Sequence, residues 1–231
     1  MRKILFFIVL IVCVPGFVWA LPWTQDDLLQ ISIVSGTGVN SGFGSYGGLF
    51  KLTNTTRNET VYGFCVELDE YTTYAQKVYS GDTNTAIWGG RNTNTGDEVS
   101  GSSKWLYWRY LVGDAGYQNV QALQVAIWLL EDEYLSSEGY PNLTDWKNWY
   151  TSHGGNASIA DKAIEYYNNA STHSNYENPQ ILILNTYNGT GGQGGYQGQS
   201  YIYFVPEPGI LILLGIGLSV VGLAARRFRK K

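Results

Sequence analysis

Cysteine and histidine are scarce in this chain. Its 231 residues include two cysteines, Cys13 and Cys65, and two histidines, His153 and His173. Cys13 lies in an N-terminal apolar segment that we expect to be removed, which leaves one cysteine and excludes an internal disulfide in the mature chain. Neither histidine has the spacing of a metal ligand or of a catalytic triad. The sequence therefore predicts no metal and no cofactor.

Motifs of the common enzyme classes are also missing. We find no Gly-x-Ser-x-Gly elbow, no phosphate-binding loop, no zinc motif and no pair of catalytic carboxylates with a supporting context. The acidic run at 131–133 lacks the spacing of a calcium loop and is typical of the solvated end of a helix. We therefore do not expect an enzyme.

Cationic residues are few between the two ends of the chain. Residues 21–205 hold 8 Lys and Arg against 18 Asp and Glu, which gives a net charge near −10. This balance argues against nucleic acid or anionic lipid as a partner. The segment is long enough to form one domain with its own hydrophobic core.

The N-terminus has the parts of an export signal. Two basic residues precede an apolar run over residues 4–18, and Ala20 supplies the small residue that a signal peptidase requires. A proline and a glycine interrupt the run, which is also shorter than the roughly 20 apolar residues of a membrane span. The sequence therefore predicts a signal peptide over residues 1–20 and an extracytoplasmic domain over residues 21–204.

The C-terminus has a second distinctive pattern, over residues 205–231. Pro206, Glu207 and Pro208 precede an uncharged stretch at 209–225, and five of the last six residues are Arg or Lys. The prolines end the preceding strand, the uncharged stretch is long enough to cross a thin bilayer, and basic residues resist translocation. We expect a membrane-spanning helix over 209–225 with its basic end in the cytoplasm.

This order of motif, apolar helix and basic cluster resembles the PEP-CTERM sorting signal of Gram-negative bacteria. The resemblance implies recognition by an exosortase and cleavage near the Pro-Glu-Pro motif. It also implies transient attachment to the inner membrane, followed by display at the cell surface or release into an exopolysaccharide matrix. A tail anchor that is never cleaved is the alternative interpretation of the same segment.

Hydrophobic periodicity predicts strands near both ends of the domain and helices between them. The predicted strands lie at 28–34, 48–53, 61–68, 180–187 and 200–205. The predicted helices lie at 102–112, 118–134, 144–150 and 158–170, the last of them with Ser158 and Asp161 as a capping box. The sequence therefore predicts an α+β domain, a β-sandwich or barrel with a helical insertion.

Cys65 lies in the predicted strand at 61–68. Alternation places Gly63, Cys65 and Glu67 on one face and Phe64 on the other. A glycine on the face of Cys65 indicates that another backbone or side chain comes close. A lone thiol outside the cytoplasm is a candidate reactive group, although a buried cysteine also serves as a small apolar side chain.

Gln124 lies in the predicted helix at 118–134, on its apolar side. Val120 and Ile127 flank Gln124 at helical spacing, and Trp128 follows it by one turn. A buried carboxamide must be hydrogen-bonded or take part in chemistry, since its desolvation is otherwise unfavourable. We therefore expect Gln124 either to be hydrogen-bonded inside the fold or to take part in chemistry.

The two segments together resemble the thioester domains of bacterial surface adhesins. Phe64 precedes Cys65, Glu67 follows it, and Gln124 lies in an apolar helix with Trp128. The resemblance implies that the cysteine sulfur and the glutamine carbonyl join as an internal thioester, which captures an amine on a surface or matrix molecule. We expect Trp128 to exclude water, and Glu67 to move a proton or orient the helix.

A protein without a thioester is the alternative from a different class. Aromatic side chains stack on sugars, and this domain is rich in Trp and Tyr, which favours non-covalent binding of carbohydrate or exopolysaccharide, or a structural role in the matrix. Against it, the helical spacing of Trp105, Trp108 and Trp128 is more typical of a core. Leu123 stands where many thioester domains have threonine, so the hydrogen bonding next to the glutamine differs.

Overall fold

The computed structural model describes residues 23–68, 70, 72–87, 96–135, 137–188 and 196–205. The unit Pro22–Val205 is compact. The predicted signal peptide at 1–20 and the predicted membrane-spanning helix at 209–225 lie outside the described residues. Within those residues, no helix has the length and apolar character that a membrane crossing requires.

Ten strands and four α-helices make up the described part of the chain. The strands are β1 (Leu28–Ile33), β2 (Val39–Asn40), β3 (Tyr46–Gly47), β4 (Leu49–Asn54), β5 (Glu59–Cys65), β6 (Ala75–Thr83), β7 (Thr85–Ala86), β8 (Asp97–Glu98), β9 (Ile181–Asn188) and β10 (Tyr196–Phe204). The α-helices are α1 (Gly101–Leu111), α2 (Val120–Leu130), α3 (Leu143–Ser152) and α4 (Ala157–Ala170).

Six of the strands close into an antiparallel barrel in the order β1, β4, β5, β10, β9, β6. The α+β prediction is confirmed, and its barrel form is the one observed. All four helices lie in the chain between β8 and β9, as the predicted helical insertion requires. Strand β6 was not predicted because its buried positions include Gln76 and Gly81, so only Val78 supplies a large apolar side chain to the alternation.

The barrel gives Cys65 and Phe64 opposite surroundings. Cys65 pairs with Tyr201 of β10 and faces the barrel interior beside Phe50, whose ring lies 5.1 Å from that of Tyr201. Phe64 faces outward and packs edge-on against tyrosines of α1. A Cβ added at Gly63 would lie 2.4 Å from the Ile202 carbonyl oxygen, so the predicted close approach on the Cys65 face is confirmed.

Local side chains and backbone conformations set the helix ends, which differ from the predicted ones. Asn156 caps α4 by accepting hydrogen bonds from the backbone N–H groups of Ser158 and Ile159, so the predicted capping box of Ser158 and Asp161 is wrong. Helix α2 ends at Leu130 because Asp132, with a φ of 60°, has a left-handed backbone that stops the helix.

Helix α2 is central to the insertion. All eight side chains at 122–129 are buried, because the helix packs against α4 on one side and against β2, β3 and β4 on another. Burial therefore extends beyond the predicted apolar side of this helix to every side chain at 122–129, including that of Gln124. This packing holds α2 against the end of the barrel where β5 stops.

Candidate functional site

Cys65 and Gln124 meet where β5 ends and α2 passes over the barrel. The Cys65 Sγ atom donates to Gln124 Oε1 over 3.3 Å, and Gln124 Nε2 donates to the Cys65 carbonyl oxygen over 2.8 Å. The two residues are 2% and 0% exposed. Two contacts between one pair of buried residues fix the carboxamide against the sulfur, and the carboxamide carbon is one bond from the oxygen that Sγ touches.

A second donor points at the same carboxamide oxygen. The backbone N–H of Gly48 donates to Gln124 Oε1 over 3.1 Å. Gly48 has a φ of 145°, and a Cβ added there would lie 2.6 Å from the Thr37 carbonyl oxygen. A Cβ added at Gly47 would lie 2.8 Å from Gln124 Cγ and 2.5 Å from the Trp128 ring. The two glycines therefore let the backbone reach the carboxamide.

The sequence prediction missed this glycine pair. Consecutive glycines directly before a strand are a signal of a turn or of close backbone approach, and Gly47 and Gly48 directly precede β4. The signal is weak here because the chain contains 28 glycines.

The sulfur is held as a neutral thiol. Burial raises the pKa of Cys65 well above its usual range, and the nearby Glu70 and Glu67 add to the rise. The Trp128 indole opposes this rise in the Cys65 pKa, although its Nε1 atom makes no hydrogen bond by distance and angle within the described residues.

Glu67 is a buried carboxyl group next to this pair. It is 1% exposed, and its Oε2 atom has no hydrogen-bond partner among the described residues. Burial raises the pKa of Glu67 to about 11, with further contributions from the negative charges of Glu133, Glu70, Asp97 and Glu131. Burial therefore favours the protonated form of Glu67, which is able to donate a hydrogen bond as well as accept one.

The acids at the end of α2 are structural acceptors inside the fold. Glu133 accepts the backbone N–H of Leu68 over 2.8 Å, and Glu131 accepts from the backbone N–H and the hydroxyl of Ser100. Glu131 and Glu133 are 6% and 0% exposed. The interpretation of 131–133 as a solvated helix end is therefore wrong for these two residues. Glu133 instead fixes the segment that follows Cys65.

Trp128 and Phe64 have different places in the site. Trp128 is 1% exposed, lies one turn after Gln124, and contacts Tyr134 edge-on with ring centroids 6.1 Å apart. Phe64 lies on the other face of β5, where its ring is 5.9 Å from that of Tyr107 and 5.6 Å from that of Tyr110. Trp128 therefore lies beside Cys65 and Gln124, whereas Phe64 anchors the strand that carries the sulfur.

A cavity of about 480 Å³ opens onto the sulfur side of this pair. Its lining includes Cys65, Glu67 and Trp128, together with exposed side chains at its mouth. Among the described residues, no group of three or more His, Cys, Asp and Glu has the arrangement of a metal site. The arrangement brings together a buried thiol, a carboxamide whose oxygen accepts two hydrogen bonds, a carboxyl group with a raised pKa and a cavity, which are groups that an acyl transfer uses.

One comparison with known proteins gives a match. The PEP-CTERM protein-sorting motif matches residues 204–230, which include the predicted motif Pro206, Glu207 and Pro208. The motif implies an exported protein that is processed at the membrane by an exosortase and displayed at the cell surface. No curated protein matches the chain, and no solved structure does. The matched segment begins at the end of β10, so the thioester resemblance of the barrel stays a prediction.

Proposed function

We propose that this exported domain is an adhesin that forms an internal thioester between Cys65 and Gln124 and uses it to capture an amine. The observation that supports the proposal most strongly is the buried contact of Cys65 Sγ with Gln124 Oε1 at 3.3 Å, on an oxygen that Gly48 also polarises. Reacting groups held in contact avoid most of the entropy loss of a bimolecular reaction.

Thioester formation exchanges one bond for another without any oxidant. The Cys65 sulfur attacks the carboxamide carbon of Gln124, the carbon–nitrogen bond breaks, and the thiol proton leaves on the nitrogen as part of ammonia. The Gly48 N–H stabilises negative charge on Oε1 as the tetrahedral intermediate forms. The product is an acyl group stored on sulfur.

Glu67 provides the proton transfer that a buried amide needs. Nitrogen leaves as ammonia only after protonation, and a carboxylic acid held neutral by burial is a suitable donor. Glu67 lines the same cavity as Cys65, and its Oε2 atom has no hydrogen-bond partner within the part of the chain that the structure describes. After donating, the carboxylate recovers the proton of the thiol, so that the charge of the site is unchanged.

Burial protects the stored acyl group from water. The Gln124 carboxamide and the Trp128 ring are both buried. The cavity is therefore the route by which another molecule reaches the thioester bond. An incoming amine displaces the sulfur, leaves Gln124 as a substituted amide, and releases Cys65 as a thiol. Each molecule reacts once, so the domain is not an enzyme. Its partner is an amine-bearing surface or matrix molecule.

Intact-mass measurement of the purified protein tests the proposal. We expect the mass to be lower by one ammonia than the sequence requires, and to rise by one methylamine after incubation with that amine. Cys65→Ala and Gln124→Ala abolish both changes. Gln121→Ala is the matched control, since Gln121 lies on the same helix and bonds the Gly38 carbonyl instead. A mass that shows no loss of ammonia, together with alkylation of Cys65, contradicts the thioester.

A non-covalent carbohydrate-binding or matrix role is the second candidate. The exposed aromatic side chains Tyr46 and Tyr74 at the cavity mouth favour it, since both are available to stack on a sugar. The three tryptophans at helical spacing do not, because Trp128 is buried and Trp105 is stacked on His173 with centroids 4.0 Å apart. Retention of polysaccharide binding by Cys65→Ala, with no mass loss in the parent protein, favours this candidate.

A further inference from the structure

Exposed apolar side chains gather at the mouth of the Cys65 cavity. Six large apolar side chains in the described residues are exposed, and three of them, Ile33, Tyr46 and Tyr74, line this cavity. Tyr46 and Tyr74 are 65% and 67% exposed and come from separate segments, β3 and the residues just before β6. Folding does not require large apolar side chains around an opening, so this rim indicates a ligand.

Hydrogen-bonding groups line the cavity below the rim. They are the side chains of Ser32, Ser45, Thr72, Thr73 and Gln199, together with those of Glu67 and Glu70. The volume of about 480 Å³ is within the range of small-molecule sites. A ligand that suits this cavity has one apolar face and many hydroxyl groups, and it carries an amine that reaches the sulfur.

From this arrangement we infer that the amine captured at Cys65 is the amino group of an amino sugar in a polysaccharide, whose ring packs on Tyr46 and Tyr74. The inference rests on the proposed thioester function. A pyranose ring has an apolar C–H face that packs against an aromatic ring, and its hydroxyls match the serine, threonine and glutamine side chains of the lining.

The chemistry of the cavity favours an amino sugar over a lysine side chain. Lysine stays an ammonium ion up to about pH 10.4, and its transfer into a buried cavity requires a negative partner. Burial raises the pKa of Glu67 and so weakens it as that partner. The other acid of the lining, Glu70, already accepts hydrogen bonds from the Ser200 backbone N–H and the Gln199 side chain. Neighbouring oxygen substituents withdraw electrons from the amine of an amino sugar, so more of that amine is the neutral nucleophile.

The capture step balances without a co-reactant. The sugar nitrogen attacks the thioester carbon, the carbon–sulfur bond breaks, and one proton of the amine moves to the sulfur. The products are an amide between Gln124 and the sugar and a free Cys65 thiol.

Intact-mass kinetics with four probes test the inference on the purified protein. The probes are methylamine, a short glucosamine oligomer, the same oligomer fully N-acetylated, and a lysine-containing peptide. We expect a covalent adduct with the glucosamine oligomer at a rate about tenfold or more above that of the peptide, and no adduct with the acetylated oligomer.

Rim variants separate recognition from reactivity. Tyr46→Ala and Tyr74→Ala should each lower the rate with the glucosamine oligomer by about three- to tenfold and leave the methylamine rate within about twofold. Tyr62→Ala is the matched control, since Tyr62 is 49% exposed but lies outside the cavity lining formed by the described residues. All three tyrosines are exposed, so their truncation should leave the fold intact.

The outcomes distinguish failure of the inference from failure of the proposed function. If methylamine forms an adduct and the lysine peptide reacts as fast as the glucosamine oligomer or faster, the amino sugar is not the preferred amine, but the thioester function stands. Equal effects of Tyr46→Ala and Tyr62→Ala on the glucosamine rate also overturn it. Absence of both ammonia loss and a methylamine adduct rejects the thioester itself, and the inference with it.

Discussion

Replacement of Gly48 by alanine affects stability and reactivity through one backbone group. Gly48 has a φ of 145°, and its added Cβ would lie 2.6 Å from the Thr37 carbonyl oxygen. Backbone strain of about 1–3 kcal/mol and overpacking of a similar size should together lower the free energy of unfolding by about 2–6 kcal/mol. Relief of this clash moves the Gly48 N–H away from Gln124 Oε1, where it now donates over 3.1 Å.

The loss of that donor should also slow ammonia release. Removal of one donor to a developing oxyanion slows acyl transfer by about 100- to 1000-fold. We expect Gly48→Ala to keep the full mass of the unreacted chain when it is sampled early after folding. The assay is intact mass against time after refolding, below the unfolding midpoint measured by urea titration.

Gly36→Ala is the matched control for this prediction. Gly36 has a φ of 80°, but no described atom lies within 4 Å of its added Cβ, and it makes no contact with the carboxamide among the described residues. The variant should lose about 1 kcal/mol of unfolding free energy and release ammonia at the parent rate. Parent-like kinetics in a folded Gly48→Ala protein would refute the role of the Gly48 N–H.

Three further variants test other parts of the site and fold. The folded state raises the Glu67 pKa from 4.5 to about 11, so the free energy of unfolding falls as pH rises between these values. Glu67→Gln should remove that fall in urea titrations inside this pH window. An unchanged dependence of the free energy of unfolding on pH contradicts the prediction. Trp128→Phe should shorten the lifetime of the methylamine-reactive state by about tenfold, measured as loss of adduct with storage time, whereas equal lifetimes argue against water exclusion by the indole. Asn156→Ala should lower the free energy of unfolding by about 1 kcal/mol, and Ser158→Ala should lower it by less, in the same titration. A larger loss for Ser158→Ala than for Asn156→Ala would instead support the capping box of Ser158 and Asp161.

The pairing of Cys65 with Gln124 was predictable because each residue violates an ordinary preference. An unpaired thiol in an exported domain and a carboxamide on an apolar helix both require an explanation, and a shared site supplies one for each. Elements rich in apolar residues, such as α2 and β5, were also predictable, since α2 buries every side chain at 122–129 and β5 buries its last three residues.

The rest of the site depends on tertiary contacts that leave little trace in the sequence. The donor from Gly48 is a backbone group, so any residue type supplies it, and only the space around it requires glycine. Glu133 resembles a surface acid until the Leu68 N–H is placed against it. Strand β6 is irregular, with register shifts against β9 between Val78, Ser80 and Thr83, so its pattern does not alternate.

The reactive pair is divided between two elements that are 59 residues apart in the chain. In a flexible chain that separation corresponds to about 40 Å, so the two groups rarely meet before the barrel closes and α2 docks. In the function proposed above, Cys65 and Gln124 therefore stay apart during synthesis and export. The proposed thioester then forms only after the tertiary structure brings the two side chains into contact.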